Sequence, residues 1–359
     1  MGFLSEGLLY ICYAFLMGSL IVHLVPGNAK PGLRIPRQAV IWSIAGTMVL
    51  AFAPLLQIII RFGSGIGYGK ALSTVLFSFK EGKAYLLVFG LCLLLLLTFL
   101  LIKDALQNKK ILYPSLLIVL CIIATFGYAS HLGAIGGFKG AVIQTVHMLS
   151  MAVWAGVLFA VAWFTAEARH WDRFLKWFTP VSIGCVVLIL VSGLLTMSYT
   201  VPEYVNSWIL PYGQALLMKH LLFVPIIICG FCNGFLIRSK MKQNQGFAVI
   251  PWLKAETILI LFVLLFTALM SQEAPAHTVA ETLQYNDASA IFMMLHPEAS
   301  VPLNWGITIP AAALAGVALL ILAGMIISFT NKKASPAMLL ILGFVFVLTA
   351  YGSLMLSVQ

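Results

Sequence analysis

Charge is what this chain has least of. Asp, Glu, Lys and Arg make up 9% of 359 residues, 62% are hydrophobic and the mean hydropathy is +1.04. No soluble core absorbs that much apolar surface, so lipid must serve as the solvent. Acids are scarcer still, 11 against 21 Lys and Arg. The net charge of +10 calls for no nucleic acid, because orienting many spans against an anionic inner leaflet requires such an excess. A Gly-x-x-x-x-Gly-Lys-Ser/Thr loop and a soluble nucleotide domain are missing, which argues against ATP-driven pumping by this chain. Two-residue alternation is missing too, which excludes barrel strands. With no water in the bilayer to satisfy the backbone, apolar runs of about 20 residues have to be helices.

Ten such runs stand near 8–25, 38–60, 84–102, 111–130, 142–165, 175–199, 213–236, 252–270, 308–328 and 337–356. The expected fold class is therefore all-α, a polytopic integral membrane bundle of about ten transmembrane helices. An outside amino terminus puts fifteen of the 21 basic residues on the inner side and seven of the 11 acids outside, so the positive-inside rule predicts both termini outside. Met1 to His23 has only Glu6 before its apolar run and no A-x-A site after it, which reads as an uncleaved first span and not as a signal peptide. The connection 61–83 is long and basic, with room for a short amphipathic helix around Leu72 to Phe79. The outer loop from about Ser271 to Gly306 is too long for a mere connection. It is expected to fold over the outer mouth, to dock a partner, or to be disordered. The expected organisation is helices one to four over 1–130, a core of helices five to eight over 131–271, an extracytoplasmic loop over 272–306 and helices nine and ten over 307–359.

His147, Met151 and Trp154 recur at i, i+4 and i+7, one face of a helix. Imidazole suits several transition metals and thioether favours Cu(I), and neither adds a buried charge, so the trio points to copper. A histidine beside a packing methionine would give the same pattern. The proposed topology gathers more of the same chemistry outside. His131 ends span four, His147 opens span five and His220 sits in span seven. His277 and His296 lie in the outer loop. Met148, Met151, Met197, Met218 and Met270 join them. An outward-facing basin of nitrogen and sulfur suits capture of copper from the extracytoplasmic side. His170 reads as a loop residue in the charged run Glu167 to Arg173.

Six cysteines are present. Cys229 and Cys232, in C-G-F-C, share a helical face, and Cys185 is expected at comparable depth. These three are possible inner acceptors for Cu(I), or simply small packing residues. None of the six lies in an outer loop, so no disulfide is expected. Lys219 is the lone cation well inside a span. It must snorkel or hold a partner, with Glu203 and the carbonyls around Tyr199 to Thr200 as candidates, and it reads as a gate residue and not as a ligand.

The residues Ser130-His131, His147-x6-Trp154-x-Gly156, Ser192-Gly193-Leu194, Tyr212-Gly213-x2-Leu216-Leu217-x-Lys219 and Ala255-Glu256 leading to Thr267-Ala268 resemble the CopD family of bacterial copper-resistance and copper-uptake membrane proteins. The likeness covers roughly 125–276. It implies handling of copper at the bacterial cytoplasmic membrane, generally as import, with Trp154 and Tyr212 among the matched positions. Some relatives carry a fused copper-binding β-sandwich resembling CopC. No run of short strands of that kind is present here, so a separate CopC-like donor protein is the expected partner, if any.

The expectation is thus a non-enzymatic, multi-pass copper transporter and resistance protein. His131, His147, Met151, His220 and Met197 form the outer metal site, Cu(I) being favoured over Cu(II), and ligand exchange carries the ion inward. Two rivals stand beside it. One is an assembly factor that inserts copper into a respiratory oxidase. The other is a bis-His haem protein, whose transmembrane relay is short of inner-side ligands because His23 is the one intramembrane histidine there.

Overall fold

A computed structural model describes residues 2–236, 248–330 and 335–358. The described chain is almost entirely helical and holds ten helices or helix pairs long and apolar enough to cross a membrane. The all-α polytopic class and the span count agree with expectation. Arg238, Lys240, Lys242, Lys332 and Lys333, which carry part of the orientation argument, lie outside the described residues. The chain divides into two compact units, Met1–Tyr199 and Thr200–Gln359.

The first unit is built around α1 (Gly2–Leu24) and α8 (Gly137–Phe164), which pack against each other. They meet backbone to backbone. A methyl group on Gly18 would stand 1.9 Å from the Gly156 carbonyl carbon, and one on Gly156 would stand 2.0 Å from the Ala14 oxygen. Small residues permit such approach between helices in lipid, where no hydrophobic force drives association. Around this pair run α2 (Arg37–Leu50), α3 (Ala53–Ile66), α5 (Lys80–Leu101) and α6 (Lys109–Ala129). α2 and α3 form one span, interrupted by a turn at 51–52 just before Pro54. The expected amphipathic helix is α4 (Tyr68–Phe77), which buries Ala71 and Val75 on Leu55 and Ile59. It begins earlier than expected because Gly67, at φ 85°, reverses the chain and α4 follows at once. A two-stranded antiparallel pair, β1 (Gly32–Leu33) with β2 (Thr165–Glu167), ties the loop after α1 to the end of α8.

Two expectations need correction at the start of α8. His131 does not end span four. α6 stops at Ala129, Ser130 caps the next turn by accepting from the Gly133 N–H (3.0 Å), and His131 opens the short α7 (His131–Ile135). His147 does not open span five either, because α8 starts ten residues earlier. The glycine-rich stretch explains both shifts. Gly137 turns the chain at φ 56°, and a methyl group on Gly140 would stand 2.1 Å from the Leu132 oxygen, so α7 and α8 form a tight corner that needs little chain.

α9 (Trp171–Thr200) closes the first unit and is thinly packed: 17% of its apolar window is buried, against 61% in α8. Its buried side chains are Trp171, Phe174, Leu175, Phe178, Cys185, Ser192 and Thr200, of which Trp171, Phe178, Cys185 and Ser192 make a narrow stripe at heptad spacing.

In the second unit α10 (Pro211–Phe231) packs on α11 (Ile250–Met270), and α14 (Ile309–Thr330) on α15 (Pro336–Met355). Gly213 is obligatory, since a methyl group there would stand 1.9 Å from the Ser207 oxygen. α10 runs into a single π turn, Cys232–Leu236. The loop 272–306 is ordered, contrary to the reading of it as disordered. It carries α12 (Val279–Thr282) and α13 (Ala290–Leu295). It is pinned by Ser289 N–H to the Ile209 oxygen (2.7 Å), Leu303 N–H to Asn206 Oδ1 (3.0 Å) and Gly306 N–H to the Ser357 oxygen (2.8 Å).

Candidate functional site

His147 lies about three turns into α8, half-buried, with Met151 one turn on and the buried Trp154 another turn beyond. Side chains four apart on a helix are neighbours, about 5–6 Å between Cβ atoms. Imidazole and thioether therefore flank one patch of α8. His147 Nδ1 is 2.9 Å from the Ser192 hydroxyl on the buried stripe of α9. That hydroxyl has one proton, and its own helix takes it: Ser192 Oγ stands 2.5 Å from the Leu188 oxygen and 3.3 Å from the Ile189 oxygen. Ser192 therefore accepts from His147 Nδ1–H. In the neutral ring the lone pair then sits on Nε2, the tautomer required by a metal held through that nitrogen. Gly193 lies beside the ring, where a methyl group would come 3.6 Å from His147 Cε1.

The remaining sequence candidates of the first unit are spread along it. His131 is exposed at the head of α7. Met197 is half-buried on α9, five residues past Ser192, and Cys185 lies two turns before Ser192 on the same stripe.

In the second unit His220 Nδ1 is 2.8 Å from the Tyr204 hydroxyl, with the rings 5.5 Å apart. Tyr204 lies in the connection before α10, and burial pushes its phenol up to about 12. Gln214 donates to the Trp208 oxygen and accepts from the Tyr351 hydroxyl, both at 2.6 Å, while His296 Nε2 reaches the Met355 oxygen at 2.9 Å. His220 and the buried Tyr212 lie on α10 together with Gln214. Lys219 is half-buried. Glu203, one of the candidate partners of Lys219, makes no ion pair with it; Glu203 Oε2 accepts from Asn206 Nδ2 at 2.9 Å.

Cys229 and Cys232 are wholly buried at the far end of α10. Next to them Asn233 Nδ2 donates to Glu256 Oε2 at 2.6 Å, both residues being buried. Among the described residues no three His, Cys, Asp or Glu side chains come together as a metal-holding group, so any copper site here draws on methionine or on fewer ligands. Sequence reasoning gave no role to Tyr204, Asn233 or Glu256. An acid inside an apolar run was a visible signal at Glu256. Tyr204 and Asn233 gave none, since their partners lie on other elements.

Residues 172–270 match the family model for copper resistance protein D. This segment is similar to the CopD family. It takes in α9, α10 and α11, and with them Ser192, His220, Cys229, Cys232 and Glu256, whereas His147 and Met151 precede it. The chain is also 26% identical over 294 residues to "Copper transport protein CutJ" of Bacillus subtilis (strain 168), an alignment covering 76% of this chain and 53% of that protein. The chain spans about half the length of this curated relative. No solved structure matches it. The ten apolar spans among the described residues mark a multi-pass membrane protein.

Proposed function

We propose that this chain carries copper across the bacterial cytoplasmic membrane, inward, with both termini outside. His147 captures the ion together with Met151. The observation that carries the assignment is the Ser192 hydroxyl on His147 Nδ1, which orients the imidazole and directs its lone pair to Nε2. One imidazole and one thioether suit Cu(I) over Cu(II), and low coordination keeps each binding step shallow enough for release. His131 and Met197 belong to the same unit and attract the ion toward His147. His220, oriented by Tyr204, is a second imidazole station, and Lys219 and Tyr212 shape its surroundings. Trp154 seals the face of α8 beyond Met151. The ordered loop 272–306 offers a surface to an extracytoplasmic copper-binding protein resembling CopC. The proposed copper path does not use Cys185, Cys229 or Cys232. The proposed activity is transport without chemical conversion of a substrate.

The test is radiocopper accumulation in cells carrying His147→Ala. Accumulation is expected to fall to background at normal protein levels; unchanged accumulation refutes the assignment. Stoichiometric iron in the purified protein would favour the haem alternative instead.

A further inference from the structure

A buried carboxyl in the second unit has no part in copper capture. Glu256 on α11 is 1% exposed and Asn233, in the π turn after α10, is 5% exposed. Asn233 Nδ2 donates to Glu256 Oε2 at 2.6 Å. Asn233 Oδ1 is buried and has no hydrogen-bond partner. The other carboxyl oxygen, Oε1, lies over Gly230, where a methyl group would stand 3.4 Å away. Gly230 and Asn233 are three apart, so the whole carboxyl lies along one face of that helix.

An ionised carboxylate only accepts hydrogen bonds and leaves Asn233 Oδ1 orphaned. A protonated one has an O–H donor, the group Oδ1 lacks. Among the described residues Glu256 makes no ion pair. α14 has no Asp, Glu, Lys, Arg or His, and α15 has only Tyr351 as a titratable group, bonded to Gln214. Lys219 and His220 stand about three turns away toward the other end of α10. Lys254, two residues before Glu256, points to the other side of α11. Among the described residues the Cys229 thiol interacts electrostatically with Glu256. π turns are frequent at functional sites inside helices, and ionisable groups at membrane depth mark ion and proton pathways.

We propose that Glu256 and Asn233 form an intramembrane proton-binding site whose proton is exchanged with water as copper passes. The site thereby couples transport to the proton gradient. The proton adds to the carboxyl from water on one side and leaves to water on the other; only an O–H bond is made or broken, and no electron moves. Coupling rests on the transport function proposed above, whereas proton occupancy of the pair does not.

Glu256→Gln places an N–H donor opposite Asn233 Oδ1 and so imitates the protonated carboxyl but cannot release a proton. The variant is expected to fold with wild-type thermal stability and to keep copper on His147. In proteoliposomes an imposed pH gradient should change wild-type copper uptake several-fold and leave E256Q uptake unaltered. A wild type indifferent to the gradient, or an E256Q that still responds, overturns the coupling. Infrared spectroscopy reads the site without transport: the deuterium-sensitive carbonyl stretch of a protonated acid should be present in wild type, missing in E256Q and shifted in Asn233→Ala. A band present in wild type and lost in E256Q, with no copper uptake in any form, refutes the transport function and leaves the proton site standing. A wild type without the band refutes the proton site even where copper moves.

Discussion

Ser192→Ala tests the copper site at a residue that would never touch the metal. The hydroxyl accepts from His147 Nδ1–H at 2.9 Å while donating within its own helix. Alanine removes the acceptor and leaves the turn of α9 otherwise intact. A half-buried Nδ1–H then faces an apolar stripe, at a cost of about 1–3 kcal/mol for an unsatisfied donor. The ring escapes that cost by moving its proton to Nε2, and so loses the lone pair that binds copper. Outer-shell partners of ligating histidines are worth about 10–100-fold in metal affinity, or roughly 1.4–2.8 kcal/mol. Cu(I) competition against a chromophoric chelator, on protein purified in detergent, should show a loss in that range. Ser192→Thr retains a hydroxyl and should recover most of it. Ser198→Ala, exposed and bonded only to the Leu195 oxygen, should change nothing. Equal affinities in wild type and S192A would refute the claim that this hydroxyl sets the tautomer.

Two further outcomes follow from the geometry. Gly156→Leu drives a side chain into the Ala14 carbonyl, 2.0 Å from where its Cβ must sit. Overpacking of this kind typically costs 1–3 kcal/mol or more, and size-exclusion chromatography should show loss of the monodisperse protein, while Gly184→Ala, in open space, is tolerated. Tyr204 has its phenol raised from 10 to about 12 by burial, so the folded chain binds more protons than the unfolded one between those values. Its contribution to stability is complete below about pH 10 and is lost as pH rises toward 12. Alkaline thermal melts should therefore fall less steeply in Tyr204→Phe.

The ten spans were legible because each depends on local apolar composition alone, and lipid admits no other solution than a helix. The amphipathic α4 was legible for the same reason, displaced only by the reversal at Gly67. His147 and Met151 announced themselves by spacing on one helix. What spacing could not reveal was that Ser192, 45 residues on, would meet His147, since the sequence does not state which faces of two apolar helices turn together. The start of α8 was misplaced because hydropathy is blind to a glycine corner that costs almost no chain. Glu256 and Asn233 are 23 residues apart and meet through a π turn, and no periodicity in an otherwise apolar segment signals such a turn.

The Gly18–Gly156 contact fixes more than a distance. Two helices whose backbones touch can neither rotate nor slide without steric overlap, so α8 is mechanically a fixed post and His147 and Met151 hold their bearing relative to α1. α9 has no such lock; most of its surface is free of protein neighbours and only one narrow seam holds it. The His147–Ser192 hydrogen bond therefore joins a helix held backbone to backbone to a thinly packed one.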